Sequence, residues 1–408
     1  MMPTHTIKML VLLLMVLAPL QGCVQQRQRP VRSEADLIQA AEAFQAEYVA
    51  GRYEALQVLI ARMEKELDDY QQGHTDEPPV LDLLTISGGG DHGAFGSALL
   101  DAWGDVPPGT TGIIPRPEFD IVSGISTGSL IACSVFAGSD EAYELCARTY
   151  QEATPDWVSG RGLSGLLPSS DALVDTTILE EEIYKQLSDE LIRQIAEGRA
   201  DHRLMVVGSA DLDLARMRMW DVGRIAQQAV DTGDYDTFRE IVMSSASIPI
   251  AFPPKIIDDA LYVDGGVIGN LLGGRDPIWF LRLVRMWKAR HPDQPCPKIR
   301  IWALVNNKER LEPRYTELRW PDIAARSISA ALHAGTMQTL QQLWLMSELT
   351  REREGVEIEY RWTAIPQDTY LPDAYDMFAP STLETLSALG ARMAGDPNTW
   401  QTLPPALD

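Results

Sequence analysis

Twice within its first 136 residues the chain runs an apolar stretch into a glycine-rich turn and out into a helix-compatible segment, and this pairing constrains the fold most. Residues 80–86 lead into Ser87-Gly88-Gly89-Gly90-Asp91-His92-Gly93 and a helical pattern over 94–103. Residues 119–122 lead through Ser123 into Gly124-Ile125-Ser126-Thr127-Gly128 and a helical pattern over 127–136. Strand, tight turn and helix in that order are the repeating unit of an α/β sheet with helices on its faces. Further strands are expected at 204–207 and 299–305, with helices at 178–195 and 279–290. A last helix over 323–347 and a strand near 356–362 complete the pattern, and no internal repeat is visible.

The segment before this alternation reads differently. Lys8 precedes the apolar run 9–17 and then Ala18-Pro19-Leu20-Gln21-Gly22-Cys23. The run is too short to span a bilayer and reads as an export signal over 1–22. A cysteine directly after Leu-x-Gly resembles a bacterial lipobox, which implies cleavage before Cys23 and acylation of that residue. A hydrophobic leader with an incidental cysteine is the alternative. Val24, not Asp, follows the cysteine, so the resemblance implies an outer-membrane lipoprotein facing the periplasm. Residues 24–32 are polar and suit a tether. Ser33 and Asp36 have the spacing of a reciprocal helix cap. Leu37, Ala41, Phe44 and Tyr48, then Leu56, Leu59, Met63 and Leu67, recur at helical spacing around an expected interruption at Gly51. Residues 71–79, ending in Pro78-Pro79, read as a linker. The expected organisation is therefore a signal over 1–22, a tether and helical segment over 23–79, a catalytic domain over 80–330, and a helical extension over 331–408 that packs on or completes it.

A formal net charge of −23 argues against nucleic acid and against general attraction to anionic lipid. Membrane contact is expected through the anchor and apolar surface. Cys133, Cys146 and Cys296 have the spacing of neither a disulfide scaffold nor a zinc site, and a Cys133–Cys146 pair and two buried thiols both remain open. Asp211 and Asp213 do not amount to a metal site, so no metal or other cofactor is expected.

The candidate chemistry centres on Ser126. A serine on a tight strand-to-helix turn exposes its hydroxyl above the sheet, and Gly124 and Gly128 let backbone and helix approach closely. The dipole of the following helix favours negative charge at its start. Consecutive glycines at 88–90 and 93 allow amides to converge on an oxyanion. A phosphate loop is the competing reading, but the Lys-Ser/Thr ending of a Walker loop and the dinucleotide spacing are both missing. Asp264, before Gly265 and Gly266, has the chemistry of a general base for Ser126, with a turn-capping carboxylate as its plain alternative.

Together these motifs resemble the patatin-like phospholipase family. The family's G-G-G-x-K/R-G element matches Gly88, Gly89, Gly90, Asp91, His92 and Gly93 except at His92. Its G-x-S-x-G element matches Gly124 to Gly128, and its D-G-G/A element matches Asp264, Gly265 and Gly266. The block Ser244-Ser245-Ala246-Ser247-Ile248-Pro249 and Asn270 also resemble family positions, and the likeness covers about 80–305. It implies a three-layer α/β/α sandwich, here with an added N-terminal helical segment. It further implies a Ser126–Asp264 dyad that cleaves phospholipid, lysolipid or another acyl ester through an acyl-enzyme, with no cofactor. His92 in place of Arg or Lys supplies less persistent positive charge. A Ser-Asp-His triad using His291 or His333, and an inactive envelope scaffold, are the rival readings. Residues 157–167, which mix Trp157 and Leu166 with glycines, fit a lid over an acyl groove or a plain surface loop. No protein partner is indicated.

Overall fold

In the computed structural model, residues 29–162, 170–274, 276–374 and 376–406 are described. The segment expected to be an export signal, Cys23 and Leu166 lie outside them. Ser33 caps the first helix, α1 (Glu34–Gln71), by the reciprocal arrangement with Asp36. Contrary to expectation, α1 is continuous through Gly51. A glycine inside a helix costs about 1 kcal/mol. Burial of Leu59, Ile60 and Met63 in the following turns more than offsets that.

The chain then enters β1 (Val80–Ile86), α2 (Gly93–Gly104), β2 (Ile121–Ile125), α3 (Thr127–Ala137) and α4 (Asp140–Glu152). A two-residue pair, β3 (Ser159–Gly160) with β4 (Val174–Asp175), precedes α5 (Thr177–Gln186) and α6 (Asp189–Ala200). The single helix expected over 178–195 is thus two, because Ser188 caps α6, its hydroxyl accepting from Leu191 N–H at 3.2 Å. Next come β5 (Leu204–Asp211), β6 (Arg216–Asp221), α7 (Val222–Thr232), α8 (Tyr235–Ser245), β7 (Lys255–Ile257) and β8 (Ala260–Asp264). The chain closes with α9 (Trp279–Arg290), β9 (Lys298–Lys308), α10 (Trp320–Glu354), β10 (Ile358–Ile365) and α11 (Pro380–Ala394). A boundary at 330/331 falls inside α10, and β10 is an edge strand of the main sheet, so the last segment is built into the sheet.

The sheet runs β10-β9-β1-β2-β5, all parallel, and is continued by antiparallel β8 and β7, with β6 antiparallel to β5. On one face Leu84, Ile86, Val122, Met205, Val207 and Leu304 join the core formed with α2 to α8 and α11. On the other, Leu81, Ile121, Leu204 and Ile301 pack under α1, α9 and α10. These are the three layers of an α/β/α sandwich.

At the amino ends of the strands, Arg62 of α1 is buried and bonds to Asp120 at 2.7 Å, Glu66 at 3.0 Å and Glu118 at 3.1 Å. Arg300 and Trp302 hold Asp82 beside this group, at 2.6 to 2.8 Å. Burial raises the Asp82 carboxyl to about 6, against the lowering effect of Arg300. Asp120 is likewise pushed up by burial and held down by Arg62. Among the described residues Cys133, Cys146 and Cys296 are free, with Cys133 and Cys146 buried. Burial pushes the Cys146 thiol up to about 12, which leaves it a packing group.

Candidate active site

The site forms where β1, β2 and β8 end. Ser126 follows β2 directly, with φ of 56° and ψ of −129°, a conformation that an ordinary side chain adopts only under strain. Both flanking glycines are required by close approach: a side chain at Gly124 would collide with the Gly128 carbonyl, and one at Gly128 with the Ile86 carbonyl. Ser129 fixes the turn by donating its hydroxyl to Ser126 O at 2.6 Å. The Ser126 N–H donates to Ser245 Oγ at 2.9 Å, and Ser245 Oγ donates to Gly208 O at 2.6 Å.

Gly208 belongs to the strand that brings serine and aspartate together. Along one edge of β5, Val206 to Asp211 pair with β6. The other edge is shared end to end: β2 occupies it up to Ile125 opposite Gly208, and β8 takes over with Asp264 opposite Ser209. Consecutive residues of one strand therefore place the residue before Ser126 and the carboxylate of Asp264. A side chain at Gly208 would press on Ile125 Cδ1, and one at Gly265 would collide with Gly208 O. Asp264 N–H donates to Ser247 O at 2.8 Å, so the Ser244–Ser247 block braces both partners.

Asp264 is 6% exposed, and its carboxylate accepts from Gly266 N–H at 2.7 Å. Burial raises its pKa from the ordinary 3.8 to about 6, and the interactions with Ser126 and with Gly266 N–H restrain the rise. At neutral pH it is ionised, and it is a stronger base than an exposed carboxylate.

The glycine loop lies beside them. Gly88 N–H donates to Asn270 O at 3.2 Å, and Asn270 Nδ2 donates to Gly88 O at 3.4 Å and to Thr336 Oγ1 at 3.1 Å. A side chain at Gly88 would collide with Asn270 Oδ1 and lie 2.9 Å from Ser126 Cβ. Asn306 holds the loop's base, its N–H donating to Ser87 Oγ at 2.9 Å and its Nδ2 to Ser87 O at 3.0 Å. His92 N–H donates to Gly89 O, and Gly93 N–H to the carbonyls of Gly90 and Asp91. In the 88–93 loop this leaves the amides of Gly89, Gly90 and Asp91 without a hydrogen-bond acceptor among the described residues. The Asp91 carboxylate turns away, accepting from Phe378 N–H at 3.0 Å. His92 is partly exposed at the N-terminus of α2, and its Nδ1 is buried without a hydrogen-bond partner among the described residues.

A cavity of about 60 Å³ opens beside Ser126, with Leu130, Met243, Ile248, Trp157 and Phe378 among its walls. Trp157, expected on a lid, is therefore at the site, whereas residues 163–169 of that segment lie outside the description. His291 is engaged elsewhere, stacked on Trp287 at 4.4 Å between ring centres, with its Nε2 2.8 Å from Glu64. Asp211 and Asp213 have structural partners: Asp211 accepts from the amides of Asp213 and Leu214, and Asp213 pairs with Arg29. Sequence reading missed Gly208, Ser245, Asn306 and Phe378 as site residues. Only Ser245 carried a signal, inside the serine block.

Residues 84–272 match the family model described as patatin-like phospholipase. No curated protein matches the chain. Among solved structures, the crystal structure of VipD from Legionella pneumophila is 10% identical, with 79% of this chain and 68% of that chain covered and a TM-score of 0.33.

Proposed function

Because residues 84–272 match the patatin-like phospholipase model, we propose that the chain is a lipid acyl hydrolase, of phospholipase A or lysophospholipase type, working through a Ser126–Asp264 dyad. The observation that carries this reading is the register of β5, whose adjacent residues Gly208 and Ser209 pair with Ile125 and Asp264 and so bring the strained Ser126 elbow and the buried carboxylate together. A triad would interpose an imidazole between serine and carboxylate. Here the Ser126 side chain itself acts on the Asp264 carboxyl, lowering its pKa against the effect of burial.

The chemistry follows in two stages. As the Ser126 oxygen attacks the ester carbonyl carbon, its proton passes to Asp264, and the carbonyl oxygen becomes an oxyanion facing the amides of Gly89, Gly90 and Asp91. Collapse breaks the bond to the alcohol or lysolipid, which leaves with the proton from Asp264. Water then attacks the acyl-Ser126 carbonyl, giving a proton to Asp264. The second collapse releases the fatty acid and returns that proton to Ser126. His92 has no assigned step in this scheme, because backbone dipoles carry the oxyanion.

Attachment to the outer membrane by acylation of Cys23 is part of the proposal. Among the described residues no helix is long and apolar enough to cross a membrane. Incorporation of labelled palmitate that disappears in Cys23→Ser supports the anchor, and unchanged labelling rejects it.

The test of activity is acyl release from phospholipids, lysophospholipids and short esters by wild type, Ser126→Ala and Asp264→Asn, with folding checked by circular dichroism. Release by wild type alone supports the dyad. Undiminished release by either folded variant breaks it, and no release from any ester favours an envelope scaffold.

A further inference from the structure

Helix α10 outruns the sheet it packs on. At 1.5 Å per residue its 35 residues span about 50 Å, against about 36 Å for the 11 residues of β9. Because β9 and β10 are parallel, the helix between them runs back from the carboxyl ends of the strands, where Ser126 and the glycine loop stand. Two residues mark where it passes the site: Thr336 is bonded to Asn270, and Leu332 Cδ2 lies where a side chain at Gly266 would meet it at 2.8 Å. No residue of α10 before Thr336 is buried. The sixteen residues from Trp320 to Gly335 therefore stand clear of the core at the catalytic edge.

This projecting start is amphipathic in the sense opposite to that of a helix facing water. Trp320, Ile323, Ala324 and Ile328 recur at helical spacing on one side, with Asp322 and Arg326 on the other. The charged side is the engaged one: Asp322 accepts from Arg319 Nε at 3.0 Å, and Arg326 Nη2 donates to Glu312 O at 2.9 Å. The apolar side is left outward, and exposure rises toward the tip, from 37% at Ile328 through 44% at Ile323 to 66% at Trp320. Leu318 at 93% and Tyr315 at 87% carry it into the loop before the helix. That loop is held in place, Arg310 N–H donating to Gln367 Oε1 at 2.9 Å and Lys308 Nζ to Thr369 O at 2.5 Å. A fixed apolar ridge of this kind marks an interaction surface.

We infer that the start of α10 and the loop before it are the surface by which the catalytic edge enters a zwitterionic phospholipid bilayer, with Tyr315, Leu318, Trp320 and Ile323 sunk into the boundary between headgroups and acyl chains. This rests on the hydrolase reading above and names the partner of that same site. Trp and Tyr are the side chains that settle at a membrane–water boundary, and they stand at the tip. Charge agrees: residues 310–335 hold four arginines against three carboxylates, a net of +1 in a chain of −23, so this edge is spared the repulsion by lipid phosphate that the rest of the surface meets. An apolar helix face seats about 5 to 10 Å deep, which brings the mouth of the site to the level of the ester bonds.

The experiment has two arms. In the first, vesicles of phosphatidylcholine brominated near the headgroup quench the tryptophan emission of the full chain carrying Ser126→Ala, with and without Trp320→Phe. No lipid is cut, and both chains keep whatever anchor the N-terminus carries, so the difference reports Trp320 alone. Part of the quenching should vanish with Trp320→Phe. In the second, kcat/KM is measured on vesicles of phosphatidylcholine with lysophosphatidylcholine and on soluble p-nitrophenyl butanoate, for wild type and for Trp320→Ser with Ile323→Ser. Vesicle hydrolysis should fall about tenfold or more, because two buried side chains are lost from the bilayer, while the soluble ester changes by less than about twofold. Equal quenching with and without Trp320, or an equal loss on both substrates, overturns the bilayer surface and leaves the hydrolase reading standing. A concentration-dependent dimer that the double variant abolishes, without Trp320-dependent quenching, assigns the ridge to a second copy and overturns it as well. Trp320-dependent quenching with no Ser126-dependent hydrolysis of any ester overturns the hydrolase reading alone.

Discussion

Asp264→Asn should stop catalysis and stabilise the fold at the same time. The Asp264 carboxyl titrates at about 6 in the folded chain, against 3.8 ordinarily. A raised carboxyl pKa means that the folded state binds the proton more tightly than the unfolded state. Stability is then highest below the unfolded value and falls as pH rises through the folded one. A displacement of about two pH units at 1.36 kcal/mol each gives a penalty of about 3 kcal/mol, complete above pH 6. Asparagine keeps an oxygen to accept from Gly266 N–H and carries no charge to desolvate. At pH 8 the variant should therefore exceed wild type by up to about 3 kcal/mol, an advantage that disappears near pH 4. Urea denaturation at the two pH values reads this as a midpoint difference of about 1 M, taking a slope near 3 kcal/mol per M. The same ionisation sets the rate: kcat/KM of wild type should fall about tenfold per pH unit below pH 6, where the base becomes protonated. A variant less stable than wild type at pH 8, together with a wild-type rate flat through pH 5, would refute both the buried charge and its role.

Arg62→Ala should cost about 3 to 5 kcal/mol in denaturant titration, because it leaves Asp120 buried without its partner, and adding Asp120→Asn should restore part of the loss. His291→Ala and His333→Ala should keep kcat/KM within a few-fold of wild type, whereas loss of a triad base lowers it by an order of 10⁴, a gap that any ester assay resolves. Gly124→Ala should destabilise the chain by about 3 kcal/mol or fail to fold, seen as a lowered melting temperature, because its methyl would collide with the Gly128 carbonyl and backbone yields poorly.

The parts of this fold legible in sequence are those whose punctuation is local. The glycines after Ile86 and around Ser126 marked the ends of β1 and β2, and the bounds expected for α2 and α3 lie within a residue of those observed. Ser188 was a local stop signal that went unread, and Gly51 a breaker outweighed by tertiary burial downstream. Ser126 and Asp264 were legible because each stands in a short motif at a strand end. Their alignment was not, because it depends on β2 and β8 sharing one edge of β5, a relation that no spacing encodes. Phe378 was invisible for the same reason in stronger form: its partners Asp91 and Trp157 lie more than two hundred residues before it, and its own neighbours in sequence carry no catalytic signature.

The ties from Asn306 to Ser87 and from Phe378 to Asp91 also set a schedule. Each joins the oxyanion loop to residues made 219 and 287 positions later. Ser126 and Asp264 leave the ribosome before the strand that seats their loop and before the residue whose N–H holds Asp91. Domains fold as units and local contacts form first, so a partly synthesised chain holds its two reactive groups without the frame that makes them a catalyst. A site assembled in this order is complete only once the segments that carry Asn306 and Phe378 are in place.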